Sequence, residues 1–115
     1  MQEGESMSTK NYELRILPLF EDDLNEIIDY IAGTLGNPIA ASALVSDVEK
    51  SIYERLQSAE SFEKYDSSSE HEHPYYRIRV KNFTVFYVVL NEGSSRIMEV
   101  RRIIYSRRNY ANLIR

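Results

Sequence analysis

The sequence contains no cysteine, which excludes a disulfide framework, a thiol nucleophile and any cysteine-bound metal. That absence is compatible with a reducing cytoplasm, the expected location. Histidine occurs only as His71 and His73, and two imidazoles alone do not complete a typical zinc site. No metal or other cofactor is expected. With four glycines and three prolines, the chain has neither a glycine-rich phosphate loop nor a Gly-x-Ser-x-Gly element. No apolar run approaches the roughly 20 residues of a membrane span, so no membrane partner is expected. The stretch 1–11 is polar and lacks the apolar segment of a signal peptide; it reads as a disordered leader, with Met7 as an alternative start. The remaining residues, 12–115, are enough for one domain with a single core.

What is present is an uneven distribution of charge. Before Pro74 there are sixteen acidic and five basic residues; from Pro74 onward there are nine basic and two acidic. The two parts therefore carry −11 and +7, which add to the net −4 of the chain. A mildly acidic protein thus contains a basic C-terminal module. Such a module suits a phosphate-rich or acidic partner, or else pairs with the acidic half across the fold.

The hydrophobic pattern changes period along the chain. Tyr12-Glu13-Leu14-Arg15-Ile16-Leu17 alternates as a half-buried strand does, and Pro18 ends it. Phe20, Leu24, Ile27, Ile28, Ile31 and Leu35 then recur at helical spacing, with Glu21, Asp22, Asp23, Glu26 and Asp29 on a solvated face. In Gly36-Asn37-Pro38, glycine suits the left-handed residue after a helix, asparagine the next cap, and proline the first turn. A second helix is expected from about Pro38 to about Ser58, with its stripe at Ala41, Leu44, Val45, Val48, Ile52, Leu56 and Ala59. So short a link folds the two helices into an antiparallel hairpin. Ser61 to His73 reads as a loop. Period two follows: a strand Tyr76–Lys81, a turn residue Asn82, a doubly apolar central strand Phe83–Leu90, a hairpin turn at 91–94, and a strand Arg96–Ile104 with a bulge near Arg101-Arg102. The expected fold is a two-layer α+β sandwich, an N-terminal strand and helical hairpin on a mainly antiparallel, about four-stranded twisted sheet.

Two basic groups stand out. Arg77, Arg79 and Lys81 alternate along one strand and share a face; cations ~6–7 Å apart match successive phosphates of a single strand. Arg101-Arg102 and Arg107-Arg108 bracket Ile103-Ile104-Tyr105-Ser106. Guanidinium binds phosphate bidentately and stays charged, so it can stabilise a phosphorane, although it is a poor base. Tyr75, Tyr105 and Tyr110 add rings on which bases stack. His71 or His73 would serve as an acid or base only if their loop folded over this face.

Tyr76-Arg77-Ile78-Arg79-Val80, Phe83-Thr84-Val85-Phe86-Tyr87 and Val100-Arg101-Arg102-Ile103-Ile104-Tyr105-Ser106-Arg107-Arg108-Asn109-Tyr110, following a strand and an acidic hairpin joined by Asn37-Pro38, resemble the RelE/ParE superfamily of bacterial toxin–antitoxin toxins. The resemblance covers roughly Tyr12 to Ile114. It implies a RelE-like fold, a bacterial cytoplasmic setting and a cognate antitoxin that lays an amphipathic, often acidic segment over the toxin. It also implies one of two actions. Nucleases of the RelE branch cut mRNA on the ribosome. On that pattern Arg77, Arg79, Arg107 and Tyr110 are the catalytic candidates, with Lys81, Arg101, Arg102, Tyr105 and Arg108 as phosphate or partner contacts. Thr84 departs from the pattern, because such nucleases usually carry an arginine there. The ParE branch inhibits DNA gyrase and needs no catalytic residue, and a remnant that only binds antitoxin is the third case. The cluster of cations and tyrosines favours mRNA cleavage.

Overall fold

The computed structural model describes residues 12–65 and 73–108. A strand, β1 (Tyr12–Ile16), leads into helix α1 (Pro18–Asp29), which continues as a π-helical turn (Tyr30–Thr34). Helix α2 (Pro38–Leu56) returns antiparallel, and β2 (Lys64–Tyr65), β3 (Tyr75–Val80), β4 (Phe83–Glu92) and β5 (Ser95–Tyr105) follow. The sheet order is β1-β5-β4-β3-β2. All neighbours are antiparallel except β1, which lies parallel to β5 in the register Tyr12↔Arg96 to Ile16↔Val100. This is the expected α+β arrangement, with one addition. The segment read as a loop contains the two-residue edge strand β2, which is too short to show a period of two.

The link between the helices forms as its residues suggest. Pro18 and Pro38 occupy first turns, where a missing N–H costs nothing. Gly36 takes a φ of +64° that a side chain would resist. Asn37 Oδ1 accepts the Ala40 N–H at 3.1 Å. The π turn is not visible in the helical spacing. The Leu35 N–H bonds to the Tyr30 carbonyl, five residues back, at 2.9 Å. The wider turn leaves Leu35 58% exposed rather than in the buried stripe.

Both helices pack on the sheet, α1 against β5 and α2 against β3 and β1, and α2 also packs against the π-helical turn. Phe20, Leu44, Val48 and Ile52 meet Tyr76, Ile78, Val85, Tyr87, Met98, Val100 and Ile103 in the main core. Full burial of each such side chain contributes ~1.5–3 kcal/mol. The opposite sheet face holds a smaller cluster, Tyr75, Phe86, Val88 and Ile104, with Tyr75 edge-on to Phe86. Thr84 through Val88 are therefore buried on both faces of β4, as a doubly apolar strand requires. The bulge also appears: Phe86 pairs with Arg102 and Tyr87 with Val100, so Arg101 is the extra residue.

A polar network ties the end of α2 to the sheet. The Tyr12 hydroxyl donates to Glu60 Oε1 at 2.8 Å, and Arg96 reaches the same oxygen at 2.8 Å. Burial, then the hydrogen bond to Glu60, push the Tyr12 phenol up to about 12. Tyr76 stacks on Tyr87, whose hydroxyl donates to the Ala59 carbonyl at 2.6 Å. Arg55 lies 3.5 Å from the centre of the Phe62 ring and donates to the Tyr87 hydroxyl and the Arg77 carbonyl. No helix among the described residues is long and apolar enough to cross a membrane.

Candidate functional site

The sequence places Lys81 on a strand beside Arg77 and Arg79, and the fold removes it from there. Val80 pairs with Phe83, so Lys81 and Asn82 form a two-residue turn in which Lys81 has a left-handed φ of +54°. Its ammonium lies 3.1 Å from Asp47 of α2, in an exposed ion pair of small energetic weight. Arg77 and Arg79 do share a face, alternating with buried Ile78 and Val80, and both are exposed. Across the sheet, Arg77 aligns with Phe86 and then Arg102, and Arg79 with Thr84 and then Ile104. Strands about 4.8 Å apart put the outer members of each row about 10 Å from one another.

Arg101 and Arg102, although only a few residues before the exposed Arg107 and Arg108, are held by carboxylates. β5 runs on beyond the end of β1, where the last bond is Leu17 N–H to Val100 O at 3.0 Å. Past that point no strand among the described residues takes the Ile103 N–H, and Asp23 of α1 takes it at 3.1 Å. The same carboxylate grips Arg102 bidentately, Nε at 2.7 Å and Nη2 at 2.9 Å. This bond raises the Arg102 pKa above its ordinary value. Arg101, set out by the bulge, donates to Glu99 at 2.8 Å and to the Tyr75 hydroxyl at 3.2 Å. Burial opposes its charge, and the bonds to Tyr75 and Glu99 more than offset that. Glu99, itself buried, also receives Arg15. Asp23, read from sequence as part of a solvated acidic face, is therefore a structural anchor 79 residues from its partner.

The tyrosines do not gather on the basic face. Tyr75 is buried. Tyr105 meets Phe83 edge-on at 5.9 Å, on the helical side of the sheet. There it lines a groove of about 560 Å³ with Ile27, Tyr30, Ile31, Leu35 and Phe83. Tyr110 and His71 lie outside the described residues.

One corner does collect open cations. Thr84 is fully buried, and its Oγ1 lies 2.7 Å from Ser106 Oγ. The Ser106 N–H reaches the Asn82 carbonyl at 2.8 Å, and the Arg108 N–H reaches the Tyr105 carbonyl at 3.0 Å. These bonds form a turn that carries exposed Arg107 and Arg108, next to the position of Arg79. Among the described residues Arg79, Arg107 and Arg108 have no ion-pair partner. The corner can bind phosphate or carboxylate, since guanidinium serves both. Within the described residues it offers no group suited to act as a general base. Sequence reasoning missed the Thr84–Ser106 pair at this corner and, elsewhere on the sheet, the roles of Asp23 and Arg55. For Thr84 a signal existed, a lone hydroxyl in an otherwise apolar strand.

A family model described as the ParE toxin of type II toxin–antitoxin system, parDE, matches residues 14–110. Among solved structures, the chromosomal ParDE TA system from P. aeruginosa resembles the chain with a TM-score of 0.64 and 19% identity. The match covers 82% of this chain and 95% of that one. No curated protein matched.

Proposed function

The chain belongs to the ParE toxin family of type II toxin–antitoxin systems, and from that premise we propose that it arrests growth by binding DNA gyrase rather than by cutting mRNA. The observation that carries this reading is Thr84. At the position where RelE-type nucleases are expected to place an arginine, the side chain is buried and hydrogen-bonded to Ser106. Loss of one transition-state donor costs about 3 kcal/mol. Arg101 and Arg102, two further phosphate candidates, are already occupied by Glu99 and Asp23. The remaining open cations, Arg79, Arg107 and Arg108, suit recognition of a phosphate backbone or an acidic protein surface, neither of which needs a base.

The antitoxin is the second partner. The groove beside Tyr105 offers an apolar floor for one face of an amphipathic segment. Lys81, next to the lining residue Asn82, and the Arg107–Arg108 turn after Tyr105 supply cations for acidic flanks. Such an antitoxin would cover the corner while bound.

The test is a pair of assays on the purified protein: supercoiling by gyrase, and primer extension on mRNA in a reconstituted translation system. Loss of supercoiling with intact mRNA is the expected result. Cuts that appear only with ribosomes, while gyrase remains active, would overturn it in favour of the nuclease reading, which the shared face of Arg77 and Arg79 supports.

A further inference from the structure

Thr84 and Glu99 are the only buried polar or charged side chains, tyrosines apart, among the described residues. Glu99 has two arginines to account for it. Thr84 has one contact, the 2.7 Å bond to Ser106 Oγ. A hydroxyl in a central strand destabilises unless it is bonded, so this position must find its partner in the segment that leaves β5.

We propose that Thr84 is a positioning residue: its hydroxyl fixes the Arg107–Arg108 turn as a pre-ordered pair of cations for the target. The Arg108 N–H closes the turn locally on the Tyr105 carbonyl that ends β5, and the two ties that reach across to other residues of the sheet side both run through Ser106. Its amide is held by the Asn82 carbonyl at 2.8 Å, and its hydroxyl by Thr84. Asn82 sits in the exposed β3–β4 turn, whereas Thr84 sits in the most deeply buried strand, so the Thr84 bond anchors the turn to the rigid part of the molecule. Arg107 and Arg108 project from this anchored turn without carboxylate partners among the described residues. Two long side chains on a fixed backbone lose less freedom on binding than two on a loose one, and that difference appears as affinity. The inference rests on the proposed gyrase reading for its target, but not for its geometry.

Thr84→Val keeps the volume and removes the hydroxyl, Ser106→Ala removes the other partner, and Thr84→Ser restores the bond. Three readouts are needed: 15N heteronuclear NOEs, the concentration that half-inhibits supercoiling, and growth arrest on induction. Assays run well below the melting temperature of each variant. In Thr84→Val and Ser106→Ala the NOEs should fall at Ser106 to Arg108 and stay unchanged in β3, β4 and the helices. Inhibition should weaken about fivefold, the size of one hydrogen bond, and Thr84→Ser should recover it. A purely structural Thr84 would lower the melting temperature without a local change at the turn. Unchanged NOEs at the turn, or a mobile turn with undiminished inhibition, would overturn the proposal. Should the parent protein leave gyrase untouched, the gyrase reading falls by itself. The same variants are then compared by growth arrest, where arrest equal to the parent overturns the positioning role.

Discussion

Two sets of arginines lie within one basic segment and have opposite fates. Arg101 and Arg102 are tied to Glu99 and Asp23, while Arg107 and Arg108, a few residues further on, have no ion-pair partner among the described residues. Their sequence surroundings barely distinguish them. The difference comes from topology. β1 ends at Ile16, α1 turns back beside the exposed flank of β5, and its Asp23 arrives where Arg102 and the Ile103 amide need an acceptor. Four residues later the chain has left the sheet, and no acid of the described hairpin reaches it. Charge asymmetry along a sequence therefore marks where cations are, and the fold decides which of them remain available.

This contrast can be broken at its paired side. Asp23→Ala should have the largest effect, a loss of about 2–3 kcal/mol, because it removes the bidentate acceptor of a largely buried guanidinium and the acceptor of a strand amide together. Urea unfolding would measure it, and a melting temperature lowered by about 10 °C would agree for a domain of this size. A loss below about 0.5 kcal/mol would show the pair to be decorative.

The second effect lies at the other end of β5, at Tyr12, Glu60 and Arg96. The Tyr12 phenol titrates at about 12 in the folded chain against 10.0 for an unperturbed tyrosine. Its contribution is thus fully present below pH 10 and is lost as pH rises through 12, by at most about 2–3 kcal/mol. Tyr76 and Tyr87 are shifted in the same direction, chiefly by burial. Unfolding curves at pH 9 and pH 11 should differ in that sense, and Tyr12→Phe should flatten the difference; an unchanged slope in that variant would remove Tyr12 as a cause.

On the open side, Arg79→Ala and Arg107→Ala should leave stability within about 0.5 kcal/mol yet weaken growth arrest and gyrase inhibition about tenfold or more, as loss of a charged contact does. If both variants arrest growth like the parent, the corner is not the working surface. The smallest effect is expected at Lys81. Replacing it with glycine relieves a left-handed lysine of about 1 kcal/mol and removes a weak surface pair, for a net gain of about 0.5 kcal/mol. Arrest should be unchanged, because Lys81 points its charge at Asp47.

The elements were legible because each follows a local rule. The Asn37 cap, the Gly36 reversal, the helical stripes and the slip at Arg101 are all written within a few residues of where they act. The fold class and family follow from their order. The pairing of Arg102 with Asp23 depends on a separation of 79 residues and has no local signature. Lys81 was misplaced for a smaller reason: a two-residue turn needs no glycine when a lysine accepts the strain, so alternation seemed to run one residue too far. Tyr105 looked like part of the basic surface, but in a strand it belongs to the face of Phe83 and not that of Arg102.

The parallel pairing of β1 with β5 also governs when the molecule can exist. Among the described strands β1 pairs only with β5, which separates it from all the others, so it has no partner there until β5 has been made. The apolar faces of α1 and α2 likewise cover a sheet whose central strands come later in synthesis. Contacts of such long sequence separation form late and slowly. The sheet is therefore completed across its whole width only when β5 pairs on both sides, and the turn at 106–108 takes its place on Asn82 and Thr84 only once β4 and β5 have come together.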